Sequence, residues 1–138
     1  MGRSGYSEDI DDQWAYIRWR GRVASAAKGK RGQALFRALL ETLDHMPDKR
    51  LIAEEMTESG AYCTLGALGH QRGMDVEHID PYDHEALGRL FDVAPCLTQE
   101  IMFMNDDWLS ESPEERWQRM RNWVASQIKQ PSSNEAET

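Results

Sequence analysis

Apolar residues recur along this chain mostly at helical spacing. Trp14, Ile17, Gly21 and Ala24 or Ser25 fall on one stripe, which predicts a helix from an N-cap at Asp11 or Asp12 to about Ala27. Lys28-Gly-Lys-Arg-Gly32 breaks it. From Gly32 to His45 the pattern is clearest, with Leu35, Phe36, Leu39, Leu40 and Leu43 on one broad face. Pro47 stops this second helix, because proline restricts the residue before it and has no N–H to donate.

The pattern then loses its period. Leu51-Ile-Ala-Glu-Glu-Met56 reads as a helical turn or a strand. Glu58-Ser-Gly60 is turn-like, and Ala61-Tyr-Cys63 can return as a short strand, giving one short β-hairpin around residues 50–63. Helical spacing resumes from Thr64 to about Gln71, with Gly73 suited to the position after the C-cap. Asp83 is the N-cap of a helix whose Ala86, Leu87, Leu90 and Phe91 face inward. Pro95 suits the first position of another, which carries Leu97, Ile101, Met102 and Met104 and ends near Asn105-Asp-Asp107. Ser112-Pro-Glu-Glu115 has the order of a capping box and opens a last helix bearing Trp117, Met120, Val124 and Ile128. Pro131 ends that helix.

The pattern predicts a mainly α fold, a compact bundle of about five to six helices. The chain divides into an irregular N-terminal arm (1–10), a single helical domain (11–129) and a disordered tail (130–138). At 138 residues it can bury a core without metal or disulfide staples. Cys63 and Cys96 are too few for a disulfide framework. No apolar run approaches the roughly 20 residues of a membrane span. The first residues have no apolar region of the secretory kind, and Tyr6 stands where a myristoylation signal wants Ser or Thr. These features place the chain in the cytoplasm, away from membranes, and call for no cofactor.

The net charge of −8 conceals an asymmetry. Residues 13–40 hold Arg18, Arg20, Arg22, Lys28, Lys30, Arg31 and Arg37 and no acid, whereas residues 41–138 hold 8 basic and 20 acidic residues. Arg18, Trp19, Arg20, Arg22, Lys28, Lys30 and Arg31 are therefore the candidate binding residues, with Arg31 near a helix start whose dipole favours anions. The alternative is that they pair with the acidic excess.

Three other constellations compete. Cys63, at a predicted helix N-terminus, is a weak candidate nucleophile; otherwise it is a small buried hydrophobe. His70 lies two helical turns from it, about 10 Å away along the axis, too far for a direct pair. Asp75, His78, Asp80, Asp83 and His84 are potential ligands close in sequence. They lack a metal-site spacing, Asp80 and Asp83 suit turn caps, and no metal site is assigned. Asn105, Asp106, Asp107, Glu111, Glu114 and Glu115 form an acidic lobe around Trp108 that can imitate phosphates; otherwise they cap helices.

The opening Met1-Gly-Arg-Ser-Gly-Tyr-Ser7, the run Ile17-Arg-Trp-Arg-Gly-Arg-Val-Ala-Ser-Ala-Ala-Lys-Gly-Lys-Arg-Gly-Gln33 and Glu115-Arg-Trp-Gln-Arg-Met-Arg-Asn-Trp-Val124 resemble a family of small bacteriophage and prophage proteins of no settled activity. The similarity extends to about Lys129 and implies a genomic setting. Cys63-Thr-Leu-Gly-Ala-Leu68 with Asn105-Asp106 is also similar to a Cys-x-x-Gly-Ala … Asn-Asp pattern of other bacterial proteins, which implies that the two segments meet in space. Taken together, the expectation is a non-enzymatic, phage-encoded protein that docks on a host macromolecule, such as a defence or DNA-processing protein, through a charged face. A nucleic-acid accessory protein using the basic segment 18–37 and a small thiol enzyme using Cys63 are the alternatives.

Overall fold

The structure is a computed structural model that describes residues 13–107 and 110–129. The N-terminal arm, the caps Asp11 and Asp12, Trp108 and the tail from residue 130 lie outside the described residues. Among those described, six α-helices and one two-stranded hairpin are formed: α1 (Gln13–Lys28), α2 (Lys30–His45), β1 (Thr57–Glu58), β2 (Ala61–Tyr62), α3 (Thr64–Gln71), α4 (His84–Phe91), α5 (Pro95–Asp106) and α6 (Pro113–Gln127). A single 3-10 turn at Val76–His78 precedes α4. The fold is a mainly α bundle carrying a short antiparallel hairpin, with Thr57 opposite Tyr62 and Glu58 opposite Ala61.

Helix α2 is the spine. It packs on α6, α3 and α1, while α5 packs on α4, α1, α3 and α6. Phe36, Leu39 and Leu43 of α2 are fully buried against Leu65 and Leu68 of α3, Ile101 and Met102 of α5 and Met120 and Val124 of α6. Each such side chain contributes about 1.5–3 kcal/mol by leaving water. A smaller apolar patch joins α1 to α5 through Trp19 and Val23 with Tyr16, Cys96 and Phe103 around them.

The helix ends follow local chemistry. Ser112 and Glu115 form the reciprocal capping box at α6. Asp83 Oδ1 accepts from Ala86 N to cap α4. Gly73, at φ +82°, closes α3: its N–H reaches His70 O while Met74 N reaches Gly69 O, the paired bonds of a Schellman motif. Lys49 Nζ donates to Asp44 O and Met46 O at the end of α2, where a cation complements the helix dipole. The Gln33 side chain ties three ends together: Nε2 donates to Ala27 O and Gln127 O, and Oε1 accepts from Lys129 N.

Three expectations need correction. Helix α1 does not bury the Trp14 stripe. Trp14 is 69% and Ile17 48% exposed, and the inward stripe is Trp19, Val23 and Ala27. Both stripes have helical spacing; the second wins because Trp19 fills the gap beside α5. Leu90 faces outward on α4, 42% exposed, because Leu87 and Phe91 already define that helix's buried side. Residues 51–56 form neither strand nor helical turn. They are a pinned loop whose backbone groups bond to other elements, for example Leu51 N to Pro113 O and Ile52 N to Tyr62 O.

Candidate functional site

Helix α1 presents a continuous outward face. Trp14, Ile17, Arg18, Gly21, Arg22, Ser25 and Lys28 are spaced by three and four residues and all are exposed. Arg22 lies over the Trp19 ring, its guanidinium carbon 5.8 Å from the ring centroid. That contact props the arginine on the helix surface and partly restricts its rotamers. Lys30 and Arg31, also exposed, continue the positive strip into the first turn of α2. That turn has no acidic residue, and its cap, Gly29, offers no side-chain bond. The helix dipole disfavours cations there by about 0.3–1 kcal/mol each at an exposed site. Arg31 meets Asp92 at 3.2 Å, a pair open to water on both sides and worth little.

Two of the seven predicted binding residues point elsewhere. Trp19 is 8% exposed and anchors the α1–α5 patch. Arg20 makes a two-pronged contact with the buried Glu100, at 2.9 and 3.4 Å, and so fastens α1 to α5. The remaining five, Arg18, Arg22, Lys28, Lys30 and Arg31, stand at the surface.

The Cys63 and Asn105–Asp106 segments do meet. Cys63 is the N-cap of α3, and its Sγ accepts from Gly66 N at 3.3 Å. Asn105 Oδ1, arriving from α5, accepts from both Thr64 N and Thr64 Oγ1, at 3.0 and 2.8 Å. The anion-attracting start of α3 is thus occupied by the protein's own side chains. Asn105 Nδ2 donates to Ile52 O and to Asp106 Oδ1. Asp106 in turn accepts from Glu54 N and from the Tyr82 hydroxyl. Glu54 sits at φ 72°, a left-handed conformation that costs a non-glycine residue about 1 kcal/mol. Its bond to Asp106 holds it there. Glycine is required at position 66, since a Cβ would run into the Met56 carbonyl.

This corner is built to be closed. Cys63, Thr64, Asn105 and Asp106 are all fully buried. Burial pushes the Cys63 thiol up to about 12, with Asp106 adding to the rise and the Gly66 N–H opposing it. At neutral pH Cys63 is therefore a neutral thiol, with Met56 Sδ 3.8 Å from its sulfur. It lacks the thiolate and the access that a nucleophile needs. Cys96, half-buried beside α1, is also pushed up, chiefly by desolvation.

The candidate acidic lobe is folded inward in part. Asn105 and Asp106 lie in the core, and Glu111 is clasped by Arg119 at 2.7 and 2.9 Å and by Arg116 at 3.5 Å. Arg116 Nε also donates to Asn105 O. Glu115 is held below the usual carboxylate range by its bonds to the Ser112 backbone and hydroxyl. Asp106 and Glu111 are thus taken up inside the protein, whereas Glu114 and Glu115 stay exposed in the first turn of α6, in keeping with the helix-capping alternative. Of the histidine–aspartate cluster, Asp80 and Asp83 cap turns through Tyr82 N and Ala86 N. Asp75 and His78 gather instead with Glu77, all three exposed and within 4.8 Å of one another. Asp75 caps the 3-10 turn through Glu77 N.

No family model, curated protein or solved structure matches this chain. No helix among the described residues is long and apolar enough to cross a membrane.

Proposed function

We propose that this chain is a non-enzymatic binding protein that docks on an acidic macromolecular surface through the outer face of α1 and the α1–α2 junction. The observation that carries this reading is the face itself: an exposed Trp14 and Ile17 beside Arg18, Arg22 and Lys28, with no acid among them. Tryptophan and arginine are the side chains that dominate binding energy when a partner covers them. Positive potential along the strip would speed encounter with an acidic partner. Lys30 and Arg31 stand where the helix dipole penalises them, a local conflict of the kind found where function overrides stability. The closed Cys63 corner supports binding over thiol chemistry.

The sequence resemblance supplies the setting. The protein is phage-encoded, works in the host cytoplasm, and its partner is a host protein. The test is capture from bacterial host lysate by the full chain and by the Arg18→Glu, Arg22→Glu, Lys28→Glu triple variant. One stoichiometric protein retained by the first and lost with the second is the expected result. Equal capture by both, or none by either, overturns it. In parallel, the chain is applied to a nucleic-acid matrix across a salt gradient. Retention there that falls steeply with salt would replace the protein partner with a nucleic acid bound by the same strip.

A further inference from the structure

On the opposite side of α2 from α6, the hairpin and α3 leave an open groove of about 980 Å³. Small residues create it. Ala38 on α2, Ala61 on β2 and Ala67 on α3 line it, and none is long enough to fill the space between the elements. Small-molecule sites have volumes of roughly 300–1,000 Å³, so the groove is of a size to hold one.

Its lining is chemically mixed. Tyr62 and His70 stack with ring centroids 4.6 Å apart and planes 21° from parallel, and both rings border the groove. Such a pair is a platform on which a flat heteroaromatic ring gains stacking energy. Arg50 and Arg72 also line the groove. Among the described residues Arg50 pairs only with Asp48, at a loose 3.9 Å, with both groups at least half exposed. Arg72 carries the C-cap of α3 through its backbone and has no ion pair from its guanidinium among the described residues. Arg20, Arg116 and Arg119, which are buried or half-buried, are by contrast engaged with glutamates. Arg50 and Arg72 are thus exposed cations lining the groove, Arg50 loosely paired with Asp48, itself a lining residue, and Arg72 with no ion pair among the described residues. Glu41 and Asp48 add acceptors on the α2 side.

We propose that this groove binds a small ligand combining a flat heteroaromatic ring with an anionic group, of the nucleoside-phosphate class. The ring lies on the Tyr62–His70 stack, the phosphate is taken by Arg50 and Arg72, and Glu41 and Asp48 accept from amino or hydroxyl groups. Carboxylates in the lining can accept from such a ligand, which presents donors at one end and negative charge at the other. None of these residues belongs to the basic strip of α1, so the groove and the docking face are independent.

The test is a titration of the full chain, followed by amide NMR, with adenosine, guanosine, cytidine and uridine 5′-monophosphates, with the same nucleosides lacking phosphate, and with orthophosphate. At least one nucleotide should give saturable shifts at Ala61, Tyr62, His70 and Arg72. Its nucleoside and orthophosphate should each bind at least about tenfold more weakly, one charge-assisted or stacking contact being worth that factor. Arg72→Ala and Tyr62→Ala should each weaken the nucleotide by about tenfold, and Ala38→Trp should abolish binding by filling the groove. Unchanged helical circular dichroism is the check on each fold. No saturable shift with any nucleotide, shifts that survive both Arg72→Ala and Tyr62→Ala, or orthophosphate binding as tightly as the nucleotides would overturn the proposal.

Discussion

Along the outer face of α1 the charged side chains stand in water, whereas at the corner where the end of α5 meets the start of α3 they are drawn inward onto backbone groups. The difference follows from what the backbone needs in each place. Inside α1 the backbone N–H and C=O groups bond to one another, and Arg18, Arg22 and Lys28 remain at the surface. At the corner, the start of α3, the end of α5 and the irregular loop 51–56 converge with many orphan donors and acceptors. Asn105, Asp106, Arg116 and Arg119 supply the missing partners there. Polar residues are recruited to the interior wherever regular hydrogen bonding stops.

The comparison predicts opposite responses to substitution. The largest effect belongs to the corner: Asn105→Ala strands Thr64 N, the Thr64 hydroxyl and Ile52 O, and should lower unfolding free energy by about 3 kcal/mol in urea melts. A loss under about 1 kcal/mol would show that water replaces the amide and that the corner is not closed. Next is Gly66→Ala, whose methyl meets the Met56 carbonyl and should cost about 2 kcal/mol, near the middle of the overpacking range.

Acidification gives a smaller, graded effect. Burial holds His84 below the ordinary histidine value, with Asp80 and Asp83 opposing, and its Nε2 is enclosed without a hydrogen-bond partner among the described residues. The unfolded chain therefore binds the proton first. Stability should be full above about pH 6.5 and should fall as pH drops through that value toward the folded one. Urea midpoints measured across that window should fall more steeply for the wild type than for His84→Asn. Parallel profiles would remove His84 as the cause. The smallest effects belong to α1. Gly21 has open space where a Cβ would stand, so Gly21→Ala should stabilise by about 0.5–1 kcal/mol. Reversal of Arg18, Arg22 and Lys28 to Glu should change stability by less than about 0.5 kcal/mol, as expected for surface sites. Destabilisation well beyond that would mean the strip is part of the fold rather than a docking face.

Elements governed by neighbours in sequence were legible before the structure. The capping box at Ser112, the Asp83 cap, the Gly73 closure and the apolar face of α2 all announce themselves within a few residues. What could not be read locally was decided by contacts distant in sequence. Helix α1 has two stripes of helical spacing, and only α5 selects the Trp19 side. Arg20 looks like its neighbours Arg18 and Arg22 until Glu100, 80 residues away, claims it. Asp106 and Glu111 read as surface because their backbone and arginine partners lie on other elements. The groove of Tyr62, His70, Arg50 and Arg72 escaped for the same reason: three elements contribute, and no one of them carries a motif.

The two cysteines give this comparison a built-in pair of clocks. Cys63 sits at the centre of the closed corner, fully buried and protonated, so a thiol reagent can reach it only when that corner opens. Cys96 is half-buried in the patch that holds α1 against α5, so it should react faster than Cys63 and its rate is set by the packing of that patch. The native chain can therefore time the loosening of each region separately, and a partner seated on α1 should slow the second clock while leaving the first untouched.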